Sequence, residues 1–145
     1  MRIQKIFNQG EVLNIEVYDQ LQELDKTDPN FKGCNNEFLP NRDWWVILDN
    51  KSQIIAYCGS LYSQGVCIFV RAWVDKKYRG MGIQKRFITL RLREAKKQGC
   101  HVACTYTTRD NYSSVNNLMG KEFKYYNPEY AYGGKDMMYF RRELL

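Results

Sequence analysis

Apolar and polar positions alternate with two different periods along this chain, and the change of period marks its elements. Residues 1–7 carry a short apolar run that reads as a strand. Residues 11–24 place Val12, Ile15, Val17, Leu21 and Leu24 at helical spacing, and Asp28-Pro29-Asn30 ends that pattern. An irregular stretch follows to Arg42. Residues 44–48, 54–61 and Val66–Val74 are strand-like, joined by the turn signals Asp49-Asn50-Lys51-Ser52 and Ser63-Gln64-Gly65. Residues 83–98 return to helical spacing, and Gly99 stands where a C-terminal cap belongs. A strand over 101–107, a short helix over 113–119 with Asn111 or Ser113 as its cap, and strands over 123–126 and 137–141 complete the order. The last two strands are separated by a loop rich in Tyr and Gly, with Pro128 and Gly133-Gly134. A helix, a three-strand meander and a strand–helix–strand crossover in one chain make a mixed α/β domain.

Length and composition narrow the picture without naming a chemistry. A chain of 145 residues fits one domain, residues 1–145, with an ordinary apolar fraction. No apolar run is long enough to span a membrane, and no basic-then-apolar leader opens the chain. The five cysteines are odd in number and lack framework spacing, which points to reduced thiols and a cytoplasmic setting. No metal site is expected, because no CxxC occurs and His101 is the single histidine. The net charge of +6 suits acidic or phosphate-bearing partners.

The chemistry concentrates between Val74 and Lys85. The string Val74-Asp75-Lys76-Lys77-Tyr78-Arg79-Gly80-Met81-Gly82-Ile83 joins a strand to a basic amphipathic helix through two glycines. A glycine turn that opens a helix aims several backbone N–H groups at one spot, where the helix adds partial positive charge. That arrangement suits a phosphate or pyrophosphate. The helix carries Lys85, Arg86, Arg93, Lys96 and Lys97 on one side and Ile83, Phe87, Ile88, Leu90, Leu92 and Ala95 on the other. The basic side reads first as a solvated face, with Lys85 or Arg86 within reach of a cofactor phosphate.

This string resembles the acetyl-CoA loop of the GNAT N-acetyltransferase superfamily, whose core is Arg or Gln, two residues, Gly, one residue, then Gly or Ala. Arg79 and Gly82 match, and Gln84 stands where a small residue is usual. The resemblance is strongest from Trp44 to Phe123. It implies a GNAT-like α/β fold, a mixed and mostly antiparallel sheet of about seven strands flanked by about four helices. It also implies acetyl-CoA as acetyl donor, held by Ala72, Trp73, Val74, Arg79, Gly80, Met81, Gly82, Ile83, Gln84, Lys85, Asn111 and Ser114. In that family the pantetheine arm lies along the strand before the loop as an added strand, and the N–H matching Val74 faces the thioester carbonyl. The resemblance further implies direct transfer, in a ternary complex, to a primary amine of a small molecule or a protein.

One element of the family pattern is missing. The tyrosine that follows the Asn-x-x-Ser element, and often protonates the departing thiolate, is replaced by Leu118. Tyr112 and Tyr125 are the candidates for that general acid, with Tyr126 or water as substitutes. Glu37, Asp43, Asp110 and Glu122 are candidate bases, each more ordinarily a solvated charge. Two other readings stay open. One is a nucleic-acid-binding or base-modifying protein on the same scaffold, supported by the basic helix face and the C-terminal tyrosines. The other is a CoA-binding domain without catalysis, supported by the missing tyrosine and Gln84. The Met137-Met138-Tyr139-Phe140 run would suit a homodimer interface or the inside of a monomer.

Overall fold

Strands β3 (Arg42–Leu48) and β4 (Ile54–Ser63) are apolar on both faces, so they lie at the centre of a sheet covered on two sides. The computed structural model describes residues 2–27 and 40–144. Around that centre lie β1 (Ile3–Asn8), β2 (Glu11–Val12), β5 (Val66–Val74), β6 (Val102–Thr108), β7 (Lys124–Tyr126) and β8 (Met137–Glu143). The eight strands run in the order β2-β1-β3-β4-β5-β6-β8-β7, and every adjacent pair is antiparallel except β5 with β6. Three helices accompany them among the described residues: α1 (Ile15–Thr27), α2 (Ile83–Lys97) and α3 (Tyr112–Gly120).

Neighbouring residues of β3 go to opposite layers, as the pleat requires. Trp44 and Val46 meet Val17 and Leu21 of α1, together with Ile6, Phe7 and Tyr57. Trp45 and Ile47 meet Ile83 and Phe87 of α2, together with Ile55, Cys58 and Val74. The later turns of α2 carry Ile88, Leu92 and Ala95 onto Cys67, Phe69, Ala103 and Phe140, where Leu118 of α3 joins them. Between the two clusters under α2 lies a polar knot. The buried Asp43 carboxylate accepts from the Tyr62 hydroxyl at 2.6 Å and faces the Lys5 ammonium at 3.2 Å. Lys5 also reaches Glu94 of α2 at 3.4 Å. A buried carboxylate so engaged holds its surroundings together, because loss of one partner would strand a charge.

The mixed, mostly antiparallel sheet is as expected, and among the described residues it has eight strands where about seven were expected, with three helices where about four were. The extra strand arises where helical spacing was read too early. Gln9 and Gly10 both take positive φ, so the chain turns back and pairs Phe7 with Val12 and Asn8 with Glu11. The helix starts only at Ile15, with the Asn14 side chain accepting from the Val17 N–H at 3.2 Å. Most of the stretch expected to be irregular, with Cys34 and Glu37, lies outside the described residues. The Met137–Phe140 run sits within the chain's own sheet: β8 is flanked by β6 and β7, and Tyr139 and Phe140 are buried. Cys58, Cys67, Cys100 and Cys104 are buried free thiols, and no helix among the described residues is long and apolar enough to cross a membrane.

Two expectations follow from this packing. A Cβ at Gly59 would lie 2.8 Å from the ring of Trp44, itself 1% exposed and unable to withdraw. Gly59→Ala should cost about 1–3 kcal/mol by overpacking, read as a lower urea midpoint at constant slope. Burial also pushes the thiols of Cys58 and Cys67 from 9.0 up to about 12. A raised thiol pKa favours the folded state's neutral form, so its contribution is intact below 9 and is lost as pH climbs toward 12. At pH 10 the loss should be about 1 kcal/mol per thiol, seen as a lower urea midpoint than at pH 7.5. A midpoint that does not move over that interval would contradict this account.

Candidate active site

The crossover through α2 makes β5 and β6 parallel, but they pair only over Val66–Cys67–Ile68 against Val102–Ala103–Cys104. Beyond these residues β5 continues to Val74 on the β4 ladder, while β6 continues to Thr108 on the β8 ladder. The two strands therefore part, and a cleft opens in the middle of the sheet. Its β5 wall presents unpaired backbone. Asp75 N–H donates to Ile55 O at 2.7 Å, and donors along a strand alternate in direction. Trp73 N–H thus also turns toward β4, whereas the N–H groups of Ala72 and Val74 turn into the cleft. The side chains of Trp73 and Val74 enter opposite core layers, Trp73 with its ring centroid 5.8 Å from that of Tyr57.

The strand ends in a tightly folded turn. Asp75 accepts from the Lys77 N–H at 2.9 Å and starts one 3-10 turn over Lys76–Tyr78. Arg79 folds back so that its Nε donates to Val74 O at 3.0 Å, which ties the turn to the end of β5. Gly80 and Gly82 then take φ of +80° and +81°, a region that side chains disfavour, and nothing lies within 4 Å of where their Cβ atoms would stand. Gly82 is the N-terminal cap of α2 and has no side chain to offer. Arg86 N–H closes the first turn onto Gly82 O at 3.1 Å, so the N–H groups of Ile83, Gln84 and Lys85 have no acceptor within the helix. No acidic residue stands in that first turn, and Lys85 and Arg86 are exposed beside it. The positive end of α2 therefore faces open space, next to Met81, which is also exposed. Peptide-like donors along β5 leading to an anion-binding turn fit a pantetheine arm followed by a pyrophosphate.

The opposite wall is built by β6 and by α3, whose cap lies just past the end of β6. Asn111 Oδ1 accepts from Ser114 N–H at 3.2 Å, so this Asn-x-x-Ser element serves at least as the helix cap. Tyr112 stands at the first helical position and is 73% exposed. Tyr125 lies elsewhere, on the outermost strand, three strand spacings from β5, with its hydroxyl donating to Asn127 Oδ1 at 3.3 Å. The topology thus brings together residues 72–74, the turn to Lys85, and the Asn111–Ser114 segment, and leaves Tyr125 apart. Of the acidic candidates, Asp43 is engaged in the core with Lys5 and Tyr62. Glu122 pairs with Arg142 at 3.3 Å, and Asp110 is exposed.

Three further contributors escaped the sequence reading. Tyr106 lies on β6 beyond the last pair with β5, its ring packed against Tyr132 and Tyr139 at 5.5 and 5.7 Å. A Cβ at Gly133 would fall 2.6 Å from that ring, so Gly133 permits the contact. The Tyr139 hydroxyl accepts from Gly133 N–H at 2.9 Å and donates to Gly134 O at 2.7 Å, which pins the loop. Arg71 forms a bulge in β5 at φ +51°. Arg91 is 3% exposed within the apolar side of α2, where its spacing from Phe87, Ile88 and Ala95 was the available signal.

The sequence profile of the Acetyltransferase (GNAT) family matches residues 11–119. Comparison with curated proteins finds no match. Solved structures share the fold. An acetyltransferase of the GNAT family from Staphylococcus aureus is 18% identical, with a TM-score of 0.74 over 99% of this chain and 100% of that one. An aminoglycoside 6'-acetyltransferase type Ii is 15% identical, with a TM-score of 0.76 over 100% of this chain and 98% of that one. A Bacillus anthracis protein assigned as a streptothricin acetyltransferase, solved with acetyl coenzyme A, is 22% identical, with a TM-score of 0.61 over 72% of this chain and 63% of that one. At these identities the structures speak for the fold, while the profile match spans most of the chain. With the parted strands and the glycine turn of α2 in place, this chain belongs to the GNAT acetyltransferase family, whose acyltransferases use acetyl-CoA.

Proposed function

We propose that this protein transfers the acetyl group of acetyl-CoA to a primary amine of a small molecule or a protein by direct attack in a ternary complex. The observation that carries this reading is the pairing of two donor sets on one chain segment, the Ala72 and Val74 N–H groups in the cleft and those of the first turn of α2 beyond Gly82. When bound, acetyl-CoA supplies an activated thioester. Ala72, Trp73 and Val74 would hold the peptide-like arm, and the backbone from Arg79 to Lys85 would hold the pyrophosphate. The Val74 N–H would polarise the thioester carbonyl, a donor fixed in advance because Val74 is anchored in the core beneath α2. Asn111 and Ser114 would support the arm from the β6 side. Tyr112, at the cleft end of α3, is our choice over Tyr125 for protonating the departing thiolate, because Tyr125 lies three strands away. The amine would approach the parted strands near Tyr106. Buried, unpaired thiols suit a reducing compartment, and we place the protein in the cytoplasm on that ground.

Titration calorimetry with acetyl-CoA tests the donor site. Wild type should bind with micromolar affinity, and Gly82→Trp should bind at least about tenfold more weakly, because the indole would cover the helix N–H groups. Gly99→Trp is the control. Gly99 has φ +80° and equally open surroundings at the other end of α2, so it carries similar backbone strain far from the turn. Its affinity should equal that of wild type. Absence of heat with wild type, or equal loss in both variants, would refute the assignment.

A further inference from the structure

A guanidinium buried without a carboxylate is costly, because burial disfavours the charged form and arginine does not shed its proton. Arg91 is such a group: it is 3% exposed, and among the described residues it makes no ion pair. Burial lowers its pKa from the ordinary value. What surrounds it is carbonyl oxygen and an aromatic face. Its Nη1 donates to Gly59 O at 3.2 Å and to Arg71 O at 3.4 Å, and its Nε donates to Phe87 O at 3.3 Å. Its guanidinium carbon sits 4.0 Å from the centre of the Phe69 ring.

The two strand carbonyls identify what is held. Gly59 pairs with Val70 and Cys58 with Ala72, so Arg71 is the extra residue of a bulge, and a bulge leaves ladder groups unpaired. Arg91 bonds one carbonyl on each side of it, Gly59 on β4 and Arg71 on β5. The bulge also decides which amides face the cleft. Ile55 and Tyr57 are the hydrogen-bonding positions of β4, and they take Asp75 and Trp73. With the Gln64-Gly65 turn fixed and no bulge, the same positions would take Val74 and Ala72, and both cleft donors would be consumed in the ladder.

We infer that Arg91 is a positioning residue of the donor site: it clamps the Arg71 bulge across β4 and β5 and so keeps the Ala72 and Val74 N–H groups aimed into the cleft. This rests on the acetyl-CoA reading for its consequence, but the clamp is measurable without ligand. Hydrogen exchange of the peptide backbone, with acetyl-CoA calorimetry beside it, would compare wild type, Arg91→Met and Arg91→Lys. In Arg91→Met the Trp73 and Asp75 amides, which bond to β4 just past the bulge, should exchange faster while those of 66–69 stay protected, and acetyl-CoA should bind at least about tenfold more weakly. Arg91→Lys keeps the cation and should fall between. Leu21→Ala, which weakens packing on the opposite face, should keep wild-type affinity. If Arg91→Met does not fold, Arg91→Lys and Phe69→Leu, which removes the ring beneath the guanidinium, should loosen the same amides to a smaller degree. Unchanged exchange at Trp73 and Asp75 in the folded variants overturns the clamp. If wild type itself does not bind acetyl-CoA, the donor-site reading falls, and the exchange data still judge the clamp.

Discussion

A parallel strand pair needs a crossover, and here the crossover helix α2 both creates the β5–β6 pairing and limits it. Three residues of each strand are held in register; then β5 stays with β4 and β6 with β8, and the sheet divides. An edge inside a sheet would ordinarily be a liability, since unpaired N–H and C=O groups invite another strand. In this molecule the liability is the site. The backbone that loses its neighbour becomes the surface that receives a strand-like ligand arm.

The energetics of the surrounding core make such an opening tolerable. Both faces of β3 and β4 are sealed by α1 and α2, so stability resides in the half of the sheet away from the cleft and in the α2–α3 layer. Large side chains do the anchoring: Phe87, Trp44 and Tyr57 are essentially inaccessible. The residues flanking the opening are tied down individually. Val74 is buried by side chain, Arg79 returns to its carbonyl, and Arg91 donates to the carbonyls of Gly59 and Arg71 at the bulge. On the other wall, Tyr106 is packed by Tyr132, Tyr139 and the space that Gly133 leaves. A cleft with both walls fixed in advance loses less entropy when it is filled than one that must order on binding.

Much of this was legible in the residues. The apolar runs of β3 to β5, the helical spacing of α2 and the strand-turn-helix string around Gly80 and Gly82 are local patterns, and local backbone preferences carry them directly. The early misreading at Glu11 shows the limit. Val12 fits a helical stripe as well as a strand, and the positive φ of both Gln9 and Gly10, of which Gln9 does not announce a turn, sends it into the sheet. The Asn111–Ser114 spacing was visible, and its capping bond follows from that spacing.

Tertiary structure decided the rest, because it depends on groups far apart in sequence. The sequence by itself determined the order of elements, the glycine turn at the head of α2 and the family to which that turn points. It was silent on where β5 leaves β6, since strand parting is a property of two ladders and not of either strand. It gave no sign that Arg71 would bulge, that Arg91 would be buried against Gly59 some thirty residues away, or that Asp43 would be spent on Lys5 and Tyr62. It likewise could not separate Tyr112 from Tyr125, because the distance of the head of α3 and of the outermost strand from the cleft is set by the order of the strands. A charged or aromatic side chain reads alike at a surface and in a core until the partners that compensate its burial are in place.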